Sequence, residues 1–295
     1  SDCAGHHSTA FLHCIQTKKL LTILKNQKMK LVSNNRKKLA ATFAVMATLV
    51  ISCKKDHSYT PPVKPPVLAV VQSAAGDSAT IVAKLNEFRA IAGATLNTAP
   101  GAVDGRREVN WDAVPANFTN ANNFPFDFFG GFDAALPNAR KRGLLLTNTG
   151  TSFRVDSTDF AEIDPSYADD FEAFSRKKIF TYIGNNITEV TFNVPGFNTP
   201  AFTKSFGVIF SDVDVAGATT MEYFNGSKSL GVFKAATTSK GFSFLGVSIP
   251  DEKITRVKIT SGNGLLGAGV KDISSGGTKD LVVMDDFLYG EPKAL

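Results

Sequence analysis

The chain has 295 residues and a formal net charge of +5, but the charge is unevenly placed. Residues 1–53 hold eight Lys and Arg against one acidic residue, whereas 54–295 hold 24 against 26, a net of −2. The basic balance therefore belongs to the leading segment, and the mildly acidic remainder lacks the footprint of a nucleic-acid-binding protein.

Histidine and cysteine follow the same division. Three of the four His and two of the three Cys lie in residues 1–28, and beyond them stand only Cys53 and His57. A Ser-His-Asp triad, a Cys-His dyad, a His-based zinc site and a His general base are thus excluded from everything after His57. Chemistry there is limited to carboxylates, Lys, Tyr and Ser.

In chain order, residues 1–28 read as upstream sequence discarded with the export signal that follows. From Met29 a basic start leads into the apolar run Leu39–Ile51 and then Ser52-Cys53. This is the pattern of a secretory signal peptide over 29–52. The thirteen residues of this run are too few for a membrane span, which needs about 20. Val50-Ile51-Ser52-Cys53 resembles the lipobox of bacterial lipoproteins, which implies cleavage before Cys53 and acylation of that residue. The expected location is the cell envelope, on the outer membrane or cell surface, with membrane attachment through the lipid. Lys54 rather than Asp after the cysteine fits the outer membrane.

Residues 53–76 read as a tether. Tyr59–Val67 holds four prolines in nine residues, a composition that favours extended polyproline II. A helix follows over about 77–93. Ile81, Leu85, Phe88 and Ile91 recur at helical spacing, Asp77 or Ser78 caps the start and Gly93 stops the helix.

From residue 94 to 295 short segments rich in Phe, Val, Ile and Thr alternate with Gly, Asn, Pro and Ser clusters. Val190, Phe192 and Val194 alternate with polar neighbours, as do Val257 with Ile259 and Met221 with Tyr223. Gly143–Thr147, Ser205–Phe210, Leu230–Lys234, Phe242–Val247 and Leu281–Tyr289 are further strands. The expected fold is all-β: an antiparallel two-sheet sandwich, jelly-roll-like, with one short leading helix.

The dense polar block is Gly105-Arg-Arg-Glu-Val-Asn-Trp-Asp112, which holds the single Trp. Others are Phe206–Asp214, Phe242–Val247 and Val283-Met-Asp-Asp-Phe-Leu-Tyr289. Taken in this order the blocks resemble a large family of uncharacterised secreted bacterial proteins, over roughly Phe88–Pro292. The resemblance implies architecture and location, not chemistry. The last block is also similar to the closing strand of carbohydrate-binding and lectin-like sandwiches. That likeness implies a structural Ca²⁺ shared between first and last strands, with Glu108, Asp112, Asp285 and Asp286 as ligands and Asn110 beside them. Asp212 and Asp214 form a second acidic pair. The competing reading pairs these carboxylates with Arg106 or Arg107.

For ligand contact the candidates are Trp111, Phe126, Phe128, Arg106 and Arg107. Trp111 offers a flat face to a sugar ring, although a lone Trp in an alternating strand reads first as core. The loop Asn120–Gly131 carries four Phe, as a small core under a flap or as an exposed patch. Arg140-Lys141-Arg142 reads as a solvated loop or a face toward an acidic glycan. Three roles follow as expectations. The first is non-catalytic binding of an extracellular glycan or polymer. The second is a glycosidase or lyase using carboxylates such as Glu108, Asp112, Glu162 and Glu222. The third is a structural role binding envelope proteins.

Overall fold

The computed structural model describes residues 67–295, so the signal segment, Cys53 and most of the tether lie outside the described residues. The described part is an all-β sandwich of two antiparallel sheets, one of them curled into a half-barrel, with one α-helix. Sheet one has the order β1 (Val70–Gly76), β11 (Thr238–Ser248), β8 (Ser205–Val213), β13 (Val283–Gly290), β5 (Ile179–Ile183), β4 (Ser152–Asp156), and β2 (Arg106–Val109) also pairs with β13. Sheet two has the order β10 (Lys228–Lys234), β9 (Thr220–Asn225), β12 (Arg256–Thr260), β6 (Ile187–Asn193), β7 (Pro200–Phe202), β14 (Lys293–Ala294), and β3 (Leu144–Asn148) also pairs with β6.

The expected tether ends earlier than Gly76. Residues 70–76 form β1, registered along seven residues against β11 from Val70↔Ser248 to Gly76↔Phe242. The sandwich therefore begins before the helix and not at residue 94. Backbone pairing with β11 holds this segment in the sheet although its side chains are small, polar or half-exposed.

Helix α1 (Ser78–Ala92) is capped by Asp77, whose carboxylate accepts Thr80 N–H at 2.8 Å and Thr80 O–H at 2.6 Å. Gly93 ends it at φ 139°, its N–H donating to Arg89 O. Ile81, Leu85, Phe88 and Ala92 face the sheet. Ile91 was expected on this stripe but stands 39 % exposed, because the 81-85-88 series continues one residue later, at Ala92. Gly207 and Gly246 lie opposite each other on β8 and β11. A Cβ on Gly246 would stand 2.6 Å from the Phe88 ring, so the two glycines leave the hollow that Phe88 fills.

The interior between the sheets follows period two. Phe206, Val208 and Phe210 of β8, with Leu245, Val247, Phe287 and Tyr289, meet Leu144, Val190, Phe192, Met221, Tyr223, Val257 and Ile259 of sheet two. The other face of sheet one is also covered. Helix α1 packs on Ile209, Phe242, Phe244 and Leu288. Beside it, Phe160, Tyr167 and Phe171 pack on Ile179, Leu281 and Val283. Burial on both faces leaves every residue of β8 and β13 buried. Hence polar groups on the outer face of these strands lie inside the molecule.

Candidate functional site

The polar block on β2 splits between the two faces of sheet one, as alternation requires. Glu108 turns outward and meets Arg89 of α1 through two hydrogen bonds of 2.9 Å, and Arg106 Nε at 2.7 Å. Burial pushes its carboxyl up, but the two guanidiniums outweigh burial and hold it below the usual carboxylate range. Arg106 also donates to the Gly93 and Ala94 carbonyls. Arg107 turns inward and is fully buried, paired with Glu291 at 2.7 Å. Neither arginine is open to a ligand as expected. Glu108 is an ion-pair clamp between helix and strand, which is the competing reading of the sequence for Arg106 and not for Arg107.

Of the four carboxylates expected around calcium, Glu108 and Asp112 have partners of their own, while Asp285 and Asp286 share the Ser175 hydroxyl. Asp112 is half-buried, accepts Lys178 N–H at 3.1 Å and is raised by burial. Asp285 accepts the N–H groups of Phe174 (2.6 Å) and Ser175 (3.1 Å), and Asp286 accepts Ser175 O–H at 2.6 Å. A β-bulge explains their adjacency. Met284 pairs with Phe210 and Phe287 with Val208, so Asp285 and Asp286 together oppose Ile209. Burial and the neighbouring Asp286 charge push Asp285 far up. Among the described residues the set Glu108, Asp112, Asp285 and Asp286 does not bring three ligand oxygens together.

Trp111 is fully buried. It stacks on Phe180 at 4.1 Å, is flanked edge-on by Phe124, Phe129 and Phe287, and donates its indole N–H to Asp285 O at 2.9 Å. It is core, with no face left for a sugar. In the loop 120–131, Phe124, Phe128 and Phe129 are buried and join the main core beside Trp111, not a small core of their own. Phe128 is covered by the Arg140 guanidinium at 3.8 Å, so it too is closed to ligand. Phe126 alone of the four is exposed, at 56 %. Its carbonyl accepts Leu146 N–H at 2.9 Å, which fastens the loop to β3.

Phe126 forms the ridge between two clefts. One, of about 600 Å³, is lined by Asn122, Asn123, Thr147, Asn148, Thr151 and Ser152 among others. The other, of about 430 Å³, runs past Phe132, Asp133, Arg140, Asn193 and Asn198. Amides and hydroxyls beside exposed aromatic rings suit a polyhydroxylated ligand. The run Arg140-Lys141-Arg142, read as a solvated loop or a face toward an acidic glycan, is half-buried and tied down: Arg140 covers Phe128, Lys141 donates to Ala134 O, and Arg142 donates to Asn97 O.

A second assembly lies where β8 ends, and only its Asp212 and Asp214 were singled out from sequence. Asp212 has φ 64° and faces Lys240, φ 53°, where the β8–β11 register shifts. It accepts Lys240 N–H at 2.6 Å and Ser274 O–H at 3.3 Å. Asp272 accepts the N–H groups of Ser274 and Leu281, and Asp280 those of Asp214 and Val215. Asp170 takes Lys240 Nζ at 3.0 Å and the Ser275 hydroxyl. Carboxylate oxygens of Asp212, Asp214 and Asp272 lie within 4.8 Å of one another. Burial, with the charges of Asp272, Asp214 and Asp170, pushes Asp212 up to about 8. Burial foremost pushes Asp214 up to about 6, and Asp280 is raised for the same reason. Asp272 and Asp280 escaped sequence reading because they sit in an aperiodic Gly/Ser/Lys-rich loop.

Comparison with protein-family models, with curated proteins and with solved structures finds no match. The resemblance drawn from the sequence blocks therefore rests on those blocks alone. No helix among the described residues is long and apolar enough to cross a membrane.

The carboxylates considered for glycoside hydrolysis are scattered. Glu162 pairs with Arg154, Glu222 accepts Ser229 O–H, and neither these nor Glu108 or Asp112 line either cleft. The carboxyls that do, Asp127 and Asp133, are exposed.

Proposed function

We propose that this chain is an exported lipoprotein, acylated at Cys53, whose sandwich binds an extracellular glycan or related polymer without catalysis. The observation that carries the reading is Phe126, an exposed ring on a stitched-down loop between one cleft lined by amides and hydroxyls and a second lined by amides, carboxylates and Arg140. An aromatic face stacks on the C–H side of a sugar ring while amides reach its hydroxyls. A ridge with a cleft on each side suits a chain that crosses it. A glycosidase or lyase reading lacks an equivalent observation, because it needs a buried acid beside a second carboxylate in the cleft.

A protein-binding role in the envelope has one observation in its favour. Phe132 and Phe197 are each 57 % exposed, and together with Phe126 they offer apolar surface.

Co-sedimentation with a panel of insoluble polysaccharides separates the two. Retention on a polysaccharide supports the first reading. Failure on the whole panel, with specific crosslinking to an envelope protein, supports the second. Membrane attachment is tested by Cys53→Ala, which is expected to move the protein out of the membrane fraction. Retention there would contradict the lipid anchor.

A further inference from the structure

The end of β8 gathers more carboxyl groups than the cations beside it can pair. Asp170, Asp212, Asp272 and Asp280 are buried and Asp214 is half-buried, while Lys240 is the cation that ion-pairs there, through Asp170. Burying like charges together is unfavourable unless something positive joins them.

Two further facts say where it joins. Three carboxylate oxygens, from Asp212, Asp214 and Asp272, lie within 4.8 Å of one another, a spacing one ion satisfies at calcium–oxygen distances of roughly 2.4 Å. Independently, Asp170 is 2 % exposed and its Oδ2 has no hydrogen-bond partner. Its other oxygen takes Lys240 Nζ and the Ser275 hydroxyl and meets Ser274 Oγ at 3.4 Å, and that last hydroxyl also reaches Asp212 Oδ2, so the Asp170 carboxyl stands one hydroxyl away from the cluster. Asp214 Oδ2 is likewise buried and unpartnered. Buried carboxylate oxygens without donors are costly, and the backbone N–H groups nearby are already taken by Asp272 and Asp280.

We propose that Asp212, Asp214 and Asp272 bind one calcium ion, backed by Asp170, and that the ion fastens the 263–282 segment to the end of β8. The donors are all oxygen, which suits a hard cation and not zinc or copper. Calcium accepts an irregular shell of six to eight oxygens, of which Asp212, Asp214 and Asp272 supply three from two chain segments, whereas magnesium demands a near-ideal octahedron. This site differs from the set expected from sequence and shares no residue with the Phe126 clefts, so it stands or falls apart from polymer binding.

The test is calorimetric titration and thermal unfolding of the whole protein, stripped with a chelator and then given CaCl₂ or MgCl₂ at neutral pH. The expected result is one calcium per chain, a calcium-dependent rise in unfolding temperature, and a far weaker response to magnesium. Asp214→Asn keeps the size and shape of the side chain; it should leave far-UV circular dichroism unchanged and weaken calcium binding at least tenfold. If that variant does not fold, the wild-type titration still decides. No heat and no shift at about 10 mM calcium, roughly tenfold above the weakest extracellular sites, would overturn the proposal. Undiminished binding by folded Asp214→Asn, or an equal response to magnesium, would overturn it too.

Discussion

Asp285 and Asp286 stand side by side on the outer face of sheet one because the bulge inserts one residue there, and burial together with the neighbouring Asp286 charge pushes Asp285 well above the usual carboxylate range. The raised folded value means that the native state holds a proton the unfolded chain releases above about pH 4. The stabilisation is complete below the unfolded value and declines as pH rises toward the folded one. Asp285→Asn supplies a permanent donor toward Asp286 and keeps an oxygen for Phe174 and Ser175 N–H. We expect its stability near pH 4 to stay within about 1 kcal/mol of wild type, with a shallower fall toward pH 8. Denaturant unfolding across that range checks it, and parallel pH profiles would contradict the assignment. Asp285→Ala should cost more, about 1–3 kcal/mol for each N–H left unpaired. From sequence these residues looked like metal ligands. Only pairing register shows that two adjacent strand residues share a face and point at a loop more than a hundred residues away.

Among the elements, α1 depends on one ring. Phe88 fills the hollow over Gly207 and Gly246 and meets Phe244 edge-on at 5.6 Å. Phe88→Ala should destabilise the domain by about 3–5 kcal/mol, because the backbone floor is fixed in the sheet and cannot rise to fill the void. A loss below about 1 kcal/mol in chemical denaturation would mean that the helix is not integral to the core. The helix itself was plain in the sequence, with its cap, stripe and stop, and so were the strands that alternate: β6, β9 and β12, with β3, β8, β10, β11 and β13 beside them. Those not foreseen lack that signal for particular reasons. β1 is edge-paired through small residues, and β4 buries Arg154 and Asp156 as an ion pair in place of apolar side chains. β5, Ile179-Phe-Thr-Tyr-Ile183, was readable as a short β-branched and aromatic run ended by Gly184, but burial on both faces erases its polar alternation.

At the scale of the molecule, the outer face of sheet one is spent on α1 and on the Phe160–Phe171 cover, which removes Asp285 and Asp286 from any ligand surface, while Trp111 and Arg107 are buried on its inner side. What remains open is the flap side, where Phe126 and Phe132 border the two clefts. The sequence showed the aromatic loop but not which ring faces out, since that depends on how β3 and Arg140 close over its neighbours. The most direct measurement is the affinity of wild type and Phe126→Ala for the polymer that wild type retains best, by calorimetry. Removing a stacking ring that carries binding is expected to weaken affinity about tenfold or more with unfolding temperature unchanged, equivalent to roughly 1.4 kcal/mol. Equal affinity in a folded Phe126→Ala variant would contradict the cleft face as the binding site.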